Sequence, residues 1–371
     1  MTTAIEFIVN KAQLRDCKFA PLLIPNQADL AEGHVVMKIH KFAFTSNNVT
    51  YAAFGTPMKY WNFFPTEEGW GNIPVWGFGE VTHSKVDGIE AGERFYGYFP
   101  MASHVCVTPV RVSETGFVDG AEHRQPMHGL YNQYVRTTTD PGYTAESEDA
   151  QVLLRPLFIT SFMIDDFLHD NDFFGASTVL ISSASSKTSY GLAFMLSLRA
   201  DKRYQVIGLT SAGNRGFVES LGVYDDVISY DQIGTLAQDR AVVYVDMAGN
   251  GQLRSSLHHH YNDNMKYSCA VGGTHWDELS GAGNLPGARP TLFFAPAQIK
   301  KRSIDWGPGG VQTRLATAWH QFMQPVMSSQ APEKAWMHIT HGVGEAAVRQ
   351  VYLDMLDGGS APNEGHVLTL S

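Results

Sequence analysis

The chain has few cysteines, and they show none of the spacings in which cysteines usually cooperate. Its 371 residues include three cysteines, Cys17, Cys106 and Cys269, and no two of them form a CxxC pair. This spacing argues against both a disulfide framework and the usual structural zinc site. Reduced, widely separated thiols are typical of the cytoplasm, which is where we expect the protein to act.

Positive charge is also scarce. The sequence has 27 Lys and Arg residues against 37 Asp and Glu residues, which gives a formal net charge of −10. Nucleic acids and anionic membranes are bound mainly through clustered Lys and Arg side chains, so neither is an expected partner. A small-molecule substrate is the expected partner.

Long apolar runs are missing as well. Charged residues occur early in the chain without an apolar signal core, and no run reaches the ~18 apolar residues of a membrane helix. The composition, with 44% hydrophobic and 17% charged residues, is that of a compact globular protein. The sequence therefore predicts a soluble protein, and its length favours two domains.

The pattern of apolar residues changes along the chain. From Ile5 to about Tyr98, short alternating runs are separated by turn formers, which predicts a β-rich domain. Residues 110–150 are polar and are expected to form long surface loops. From Gln151 onward, helical segments alternate with buried strands, which predicts a Rossmann-type, doubly wound parallel α/β sheet. We assign residues 1–155 to the β-rich domain, 156–297 to the dinucleotide-binding domain and 298–371 to a return to the first.

The turn after the first strand of this predicted sheet lacks two glycines of a dinucleotide-binding loop. It reads SSASSKTSYG over residues 182–191, and only Gly191 matches the GxGxxG pattern. Hydroxyls and a lysine near a helix N-terminus nevertheless suit phosphate oxygens. The residues predicted to hold a diphosphate are Ser185, Ser186, Lys187 and Thr188. The alternative is a serine-rich helix cap with a solvated lysine.

A second polar segment follows the next strand, where NAD-binding folds usually carry an acidic residue for the ribose diol. Here Leu209 is followed by TSAGNR (210–215), without a carboxylate. Hydroxyl, amide and guanidinium groups suit a 2′-phosphate, so Ser211, Asn214 and Arg215 predict NADP(H) rather than NAD(H). The alternative for Arg215 is an exposed residue in the first turn of a helix.

Further motifs resemble the medium-chain dehydrogenase/reductase superfamily, and most closely its zinc-free quinone oxidoreductase and enoyl reductase branches. They are PVWGFGEV (74–81), VDGIEAGERFYGY (86–98), SLGVYDDVISY (220–230), VDMAGN (245–250) and AVGG (270–273). The sequence is also similar to a bacterial branch of this superfamily known as a domain of unknown function. The resemblance implies a GroES-like substrate domain beside the Rossmann domain, and a homodimer as one assembly.

The resemblance also implies individual site residues. Positions that face the dinucleotide in the family are occupied here by Tyr230, Ala248, Gly249, Gly272 and Phe294. In the segment TSNNVTYAAFG (45–55), Asn48 and Tyr51 resemble an Asn and a Tyr near the nicotinamide. Tyr51 is expected to donate a hydrogen bond or a proton as charge develops on the substrate. The alternative is a half-buried structural tyrosine.

No metal is expected. The strand that carries a zinc ligand in alcohol dehydrogenases reads WGFGE (76–80) here, without an imidazole. The run His258-His259-His260 is interpreted as an exposed polar turn, because neighbours on a helix point in different directions. Cys106, flanked by valines, is expected in the core. The pair Asp165-Asp166 is expected on a solvated helix face.

The aromatic run YWNFF (60–64), together with Trp70 and Trp76, fits either an apolar substrate site or the packing of a β-barrel. The sequence leaves both open.

The function that these observations favour is NADPH-dependent transfer of hydride to an activated C=C or C=O bond, as in an enone, an enoyl thioester or a quinone. One alternative is a lyase or isomerase that uses the same fold, and another is an NADP(H)-binding sensor without catalysis. A Ser/His/Asp hydrolase is disfavoured, because the sequence has no G-x-S-x-G nucleophile elbow.

Overall fold

The structure is a computed structural model, which describes residues 2–271, 285–328, 334–359 and 361–370. The chain divides into two compact units. Unit 1 consists of Met1–Leu153 and Met337–Ser371, and unit 2 consists of Leu154–Trp336. Of the predicted cofactor residues, Gly272 lies outside the described residues.

Unit 1 is built mainly from β-strands. They are β1 (Thr2–Asn10), β2 (Cys17–Ile24), β3 (Val35–Phe44), β4 (Trp70–Gly71), β5 (Pro74–Ser84), β6 (Arg94–Pro100), β7 (His104–Val107), β8 (Pro109–Ser113), β9 (Gly116–Asp119), β10 (Gln133–Arg136), β17 (His338–Val343) and β18 (Glu364–Thr369). Its complete helices are α1 (Ser46–Ala53) and α8 (Gly344–Leu356). The helix α2 (Glu148–Asp170) begins in unit 1 and continues into unit 2.

The strands of unit 1 form a small sheet and a large mixed sheet. The small sheet has the order β2-β1-β4, and the large one has the order β17-β18-β3-β5-β6-β10-β9-β8, with β7 also paired to β3. The final strand β18 pairs antiparallel with β3, as the expected return of the chain to the first domain requires. The core contains Phe7, Phe42 and Phe44, against which Tyr352 of α8 packs.

The segment 110–150 is not the run of surface loops that its polarity predicts. It contains β9 and β10, which extend the large sheet beyond β6. Arg124, Asn132 and Tyr134 from this segment are buried. The expectation was wrong because the polar side chains of this segment bond to one another inside the unit, a pattern that composition does not reveal.

Unit 2 contains a parallel sheet. Its strands are β11 (Thr178–Ile181), β12 (Gln205–Thr210), β13 (Asp226–Ser229), β14 (Val242–Asp246), β15 (Met265–Ala270) and β16 (Pro290–Leu292), and its further helices are α3 (Lys187–Ser197), α4 (Arg215–Ser220), α5 (Gly251–Tyr261), α6 (Ala295–Asp305) and α7 (Gly310–Met327). The strand order is β13-β12-β11-β14-β15-β16, and each neighbouring pair is parallel. This is the 3-2-1-4-5-6 order of a dinucleotide-binding sheet, so the predicted fold class is confirmed.

The second boundary between the units lies at Trp336/Met337, whereas the sequence placed it at 297/298. The difference arises because α6 and α7 pack within unit 2. Phe322 of α7 stacks on Phe158 of α2 with ring centroids 4.6 Å apart. Arg302 of α6 donates from Nε to Asp166 of α2 at 2.7 Å.

Three side-chain expectations were wrong. Cys106 is exposed, because Val105 and Val107 point inward and alternation along β7 turns the cysteine outward. Asp165 and Asp166 are buried rather than solvated, since Arg199 and Arg302 neutralise them.

The run 258–260 forms the last turn of α5 rather than an exposed polar turn. His258 is buried, and its ring nitrogens contact Ser268 Oγ and the Pro286 carbonyl. Within the described part of the chain, no helix is long and apolar enough to cross a membrane.

Candidate functional site

The centre of the parallel sheet of unit 2 lies between β11 and β14, where the order in which successive strands are added to the sheet reverses. Ser182, directly after β11, and Asp246, at the end of β14, are both fully buried there. Ser182 Oγ donates to Asp246 Oδ1 at 3.3 Å and accepts the Met247 and Ala248 N–H groups at 2.9 and 3.1 Å. These bonds hold the two strand ends together at the position where doubly wound folds bind their ligands.

Asp246 is held as a buried acceptor. Its carboxylate accepts the Gly249 N–H at 2.9 Å and an Arg254 N–H at 3.3 Å. Burial raises the pKa of Asp246, an effect that the Gly249 N–H and the Arg254 charge partly offset. The bonds to Gly249 and Ala248 fix the turn in which these two predicted cofactor residues lie.

Several backbone N–H groups of the loop between β11 and α3 already have hydrogen-bond acceptors within unit 2. Ser183 N donates to Tyr230 Oη at 3.0 Å, Ala184 N to Leu209 O at 3.0 Å, and Ser186 N to Ser183 O at 2.7 Å. Ser186 is the N-cap of α3, so the helix-cap alternative holds for this residue. Ser185, Ser186, Lys187 and Thr188 are all half-buried at the start of the helix, where a helix N-terminus favours an anion.

The structure brings the two predicted phosphate segments into contact. Asn214, after β12, donates from its side-chain amide to Ser185 Oγ at 3.1 Å. Arg215, at the start of α4, instead contacts Glu219 Oε1 at 2.7 Å through Nε and Gln232 Oε1 at 3.0 Å through Nη1. Ser211 is exposed. The guanidinium is therefore anchored at the surface beside the β12 end.

A cavity of about 730 Å³ opens at the same edge of the sheet. Its lining includes Ser183, Tyr230, Asp231, Ala248, Asn250 and Gln252. The volume lies in the range of small-molecule and cofactor sites. Of the predicted residues, Tyr230 and Ala248 line this cavity, whereas Phe294 follows β16 and has 54% of its surface exposed.

In unit 1, Asn48 and Tyr51 lie on α1 rather than on a loop. The side chain of Asn48 is buried and occupied: its Oδ1 accepts the Thr45 N–H at 2.8 Å, and its Nδ2 donates to Pro74 O at 3.0 Å. These bonds cap the helix and tie it to β5. Asn48 thus fixes the helical turn from which Tyr51 projects.

Tyr51 belongs to an aromatic cluster, which we define as Tyr51, Tyr60, Phe63, Trp76, Tyr98 and Tyr131. The Tyr51 ring stacks on Tyr60 at 4.4 Å and meets Tyr98 edge-on at 6.4 Å. Burial, with the nearby Tyr131 and Tyr60 phenols, holds the pKa of Tyr51 well above its usual value. Its hydroxyl therefore stays protonated at neutral pH and can donate a hydrogen bond.

Sequence reasoning missed some residues of both sites. Ser183 adopts φ 47°, a left-handed conformation that favours glycine, although a serine at this position gives no sign of that conformation in the sequence. Arg124 and Tyr131, from the supposed loop segment, join the surroundings of Tyr51. A buried arginine has no local signature in the sequence, because its partners come from several segments of the chain. Among the described residues, no three His, Cys, Asp or Glu side chains come together in a group that could hold a metal ion.

Residues 42–361 match the family described as protein of unknown function (DUF2855). The chain belongs to this family. No curated protein is significantly similar in sequence.

Solved structures show the fold. CurA from Vibrio vulnificus in complex with NADPH has a TM-score of 0.60 and 13% identity, with 99% of each chain covered. The quinone oxidoreductase from Coxiella burnetii has a TM-score of 0.55 and 13% identity, with full coverage of both chains. The mitochondrial 2-enoyl thioester reductase heterodimer from Candida tropicalis has a TM-score of 0.56 and 12% identity, again over 100% of each chain. The predicted resemblance to the zinc-free quinone and enoyl reductase branches is confirmed as a likeness of fold.

Proposed function

We propose that this protein is an NADPH-dependent reductase that transfers hydride to an activated C=C or C=O bond of a small molecule, without a metal. The observation that carries the proposal is the cavity of about 730 Å³ at the switch point of a 3-2-1-4-5-6 parallel sheet. The same fold in CurA from Vibrio vulnificus was crystallised with NADPH.

The residues present fit a dinucleotide with a 2′-phosphate. Ser185, Ser186, Lys187 and Thr188, at the start of α3, would hold the diphosphate, with the hydroxyls as donors and the lysine as the charge. Ser211, Asn214 and Arg215 would hold the 2′-phosphate. No carboxylate occupies the end of β12, and Asp231, which lines the cavity, follows β13 instead. Tyr230, Ala248 and Gly249 would lie along the adenosine half, while Phe294 and Gly272 remain predicted cofactor residues.

NADPH, when bound, supplies the hydride, and the work of the chain is binding, orientation and charge stabilisation. We assign the substrate to the aromatic cluster of unit 1. The protonated Tyr51 hydroxyl would donate a hydrogen bond to the substrate oxygen on which negative charge develops. Asn48 supports this role from the preceding turn, because its amide is committed to Thr45 and Pro74. The positions that carry zinc ligands in related dehydrogenases are occupied by Gly77, Phe78 and Gly79.

The test is the oxidation of NADPH, followed by its absorbance, with a panel of enones, enoyl thioesters and quinones. The proposal predicts oxidation that depends on an acceptor and is faster with NADPH than with NADH. Product formation without net oxidation of NADPH would indicate a lyase or isomerase instead. Absence of any turnover, together with no thermal shift by either dinucleotide, would refute the proposal.

A further inference from the structure

Arg124 is a cation in the interior of unit 1. Its side chain is fully buried. The guanidinium donates to Asp119 Oδ2 and Asn132 Oδ1 at 3.0 Å each, to Tyr134 Oη at 3.1 Å and to the Tyr131 carbonyl at 2.6 Å. A buried ion pair is weak evidence for stability, because apolar residues of similar volume often stabilise a fold as well. Arg124 instead fixes the position of neighbouring groups.

The main group that Arg124 positions is Tyr131. Arg124 binds its carbonyl and the side chain of the next residue, Asn132, and so fixes the backbone on both sides of the peptide. The Tyr131 ring is thereby held 5.0 Å from Tyr98 and 6.0 Å from Trp76, measured between ring centroids. The segment that looked like a polar loop in the sequence completes the aromatic cluster around Tyr51.

The cluster holds two polar atoms without a hydrogen-bond partner in the described part of the chain. They are Tyr98 Oη and Trp76 Nε1, both buried. Leaving a buried donor unsatisfied is costly, so each such atom needs an explanation, and a bound group that accepts a hydrogen bond from it is one. Trp76, Tyr51 and Tyr131 are half-buried rather than fully enclosed. Flat aromatic faces with two donors, one N–H and one O–H, match a planar conjugated ring that carries a carbonyl oxygen.

We propose that Arg124 is a positioning residue for substrate specificity: it holds Tyr131 in the wall of a pocket that selects flat, conjugated cyclic carbonyl compounds over flexible acyl chains. This inference rests on the proposed function for its redox chemistry. Binding of a flat compound at the aromatic cluster, however, can be measured without turnover.

The experiment uses menadione as the flat probe and the crotonyl thioester of N-acetylcysteamine as the flexible one, on the full-length protein. The variants are Tyr131→Ala and the pair Arg124→Met with Asp119→Asn, which removes both buried charges together. Binding of menadione without NADPH is followed by quenching of tryptophan fluorescence, and Trp76→Phe shows how much of the quench comes from the cluster. Steady-state kinetics then give KM and kcat with NADPH.

We expect both variants to weaken menadione binding and to raise its KM at least tenfold, while kcat changes less than threefold and the KM for NADPH is unchanged. Selectivity for menadione over the thioester should fall. The matched control removes another buried pair, Arg199→Met with Asp165→Asn in unit 2. It should lower the melting temperature in the same way but leave menadione binding and KM intact.

If both cluster variants bind and reduce menadione within twofold of the parent protein, the inference is overturned and the proposed function stands. If the parent protein binds menadione but never oxidises NADPH, the proposed function fails, and the loss of quenching in the variants still supports the pocket. Preference of the parent protein for the thioester would also overturn the inference. If the double variant does not fold, Arg124→Lys replaces it. Lysine keeps the positive charge beside Asp119 but cannot donate to the Asn132 side chain and the Tyr131 carbonyl at the same time. This variant should also raise the KM for menadione.

Discussion

The hydroxyl of Tyr230 accepts a 3.0 Å hydrogen bond from the backbone N–H of Ser183, although 47 residues separate the two in sequence. Ser183 has φ 47°, a region that costs a residue with a side chain about 1–2 kcal/mol. The tyrosine therefore helps to hold, in a serine-rich loop, a conformation that glycine normally provides in dinucleotide-binding loops.

Replacing Tyr230 by Phe tests this relationship. Loss of the acceptor should lower the free energy of unfolding by about 1 kcal/mol and weaken NADPH binding about fivefold, measured by titration calorimetry. Tyr204→Phe is the matched control, because the Tyr204 hydroxyl donates to the Leu196 carbonyl at 3.1 Å, outside the loop. It should lose similar stability and no NADPH affinity. Equal effects of the two variants on the Kd would argue against the role of Tyr230.

Arg215→Ala should weaken NADPH binding by roughly 1 to 3 kcal/mol and leave NADH binding nearly unchanged, if the guanidinium makes a charge-assisted bond to the 2′-phosphate. In the structure this side chain is paired with Glu219 and Gln232. Glu219→Gln is the companion variant, because it releases the arginine from its charged partner and should strengthen NADPH binding slightly. Equal losses for NADPH and NADH in Arg215→Ala would remove Arg215 from the 2′-phosphate site.

Tyr51→Phe keeps the ring and removes the hydroxyl. Turnover should fall by roughly 10²-fold, the usual scale for a positioned acid, while the melting temperature and NADPH affinity barely change. Because the pKa of Tyr51 is raised, its ionisation should not limit the rate between pH 6 and 9. Tyr352→Phe, which removes a phenol that donates to the Leu14 carbonyl, is the control and should retain full turnover. Unchanged turnover in Tyr51→Phe would return Tyr51 to a structural role.

Glu148 gives a pH-dependent contribution to stability. Burial alone would raise the pKa of Glu148, but hydrogen bonds and charge from Arg94, with Tyr143 and Lys41, lower it below its usual value. A carboxylate with a lowered folded-state pKa stabilises the fold above its unfolded pKa of about 4.3, and this stability is lost as the pH falls through the folded-state pKa.

Glu148→Gln should therefore reduce the free energy of unfolding by about 1–3 kcal/mol at neutral pH, by urea denaturation. The difference from the parent protein should shrink as the pH is lowered towards 3. Glu90→Gln, at an exposed glutamate of unit 1, is the control and should differ little at any pH. A difference for Glu148→Gln that is independent of pH would contradict the account.

Much of the fold could be predicted because it depends on local patterns. The central strands β11 and β14 of unit 2 read as nearly continuous apolar runs, which is typical of a parallel sheet buried on both faces, and both are buried at every position. The second boundary between the units and the burial of single side chains, in contrast, depend on partners that are distant in the sequence. Asp165 and Asp166 are buried only because Arg199 and Arg302, 34 and 136 residues further along, neutralise them.

The candidate site was predicted unevenly for the same reason. Ser185 and Asn214 carried their chemistry in local sequence, and the structure joins them. Ser183, Arg124 and Tyr131 did not, because their roles come from hydrogen bonds and ring contacts across the fold. Cys106 could have been placed correctly, since strand alternation with two inward valines already turns it outward.

The most direct test of the proposed function is the fate of the hydrogen at C4 of the nicotinamide. The protein would be incubated with 2-cyclohexen-1-one and NADPH carrying deuterium at one or the other C4 position, and the product analysed by mass spectrometry. Hydride transfer predicts deuterium in the product from one of the two labelled cofactors and none from the other. The label should lie on the carbon β to the carbonyl if the C=C bond is reduced, or on the carbonyl carbon if the C=O bond is reduced. A reduced product without deuterium from either cofactor would contradict hydride transfer by this protein.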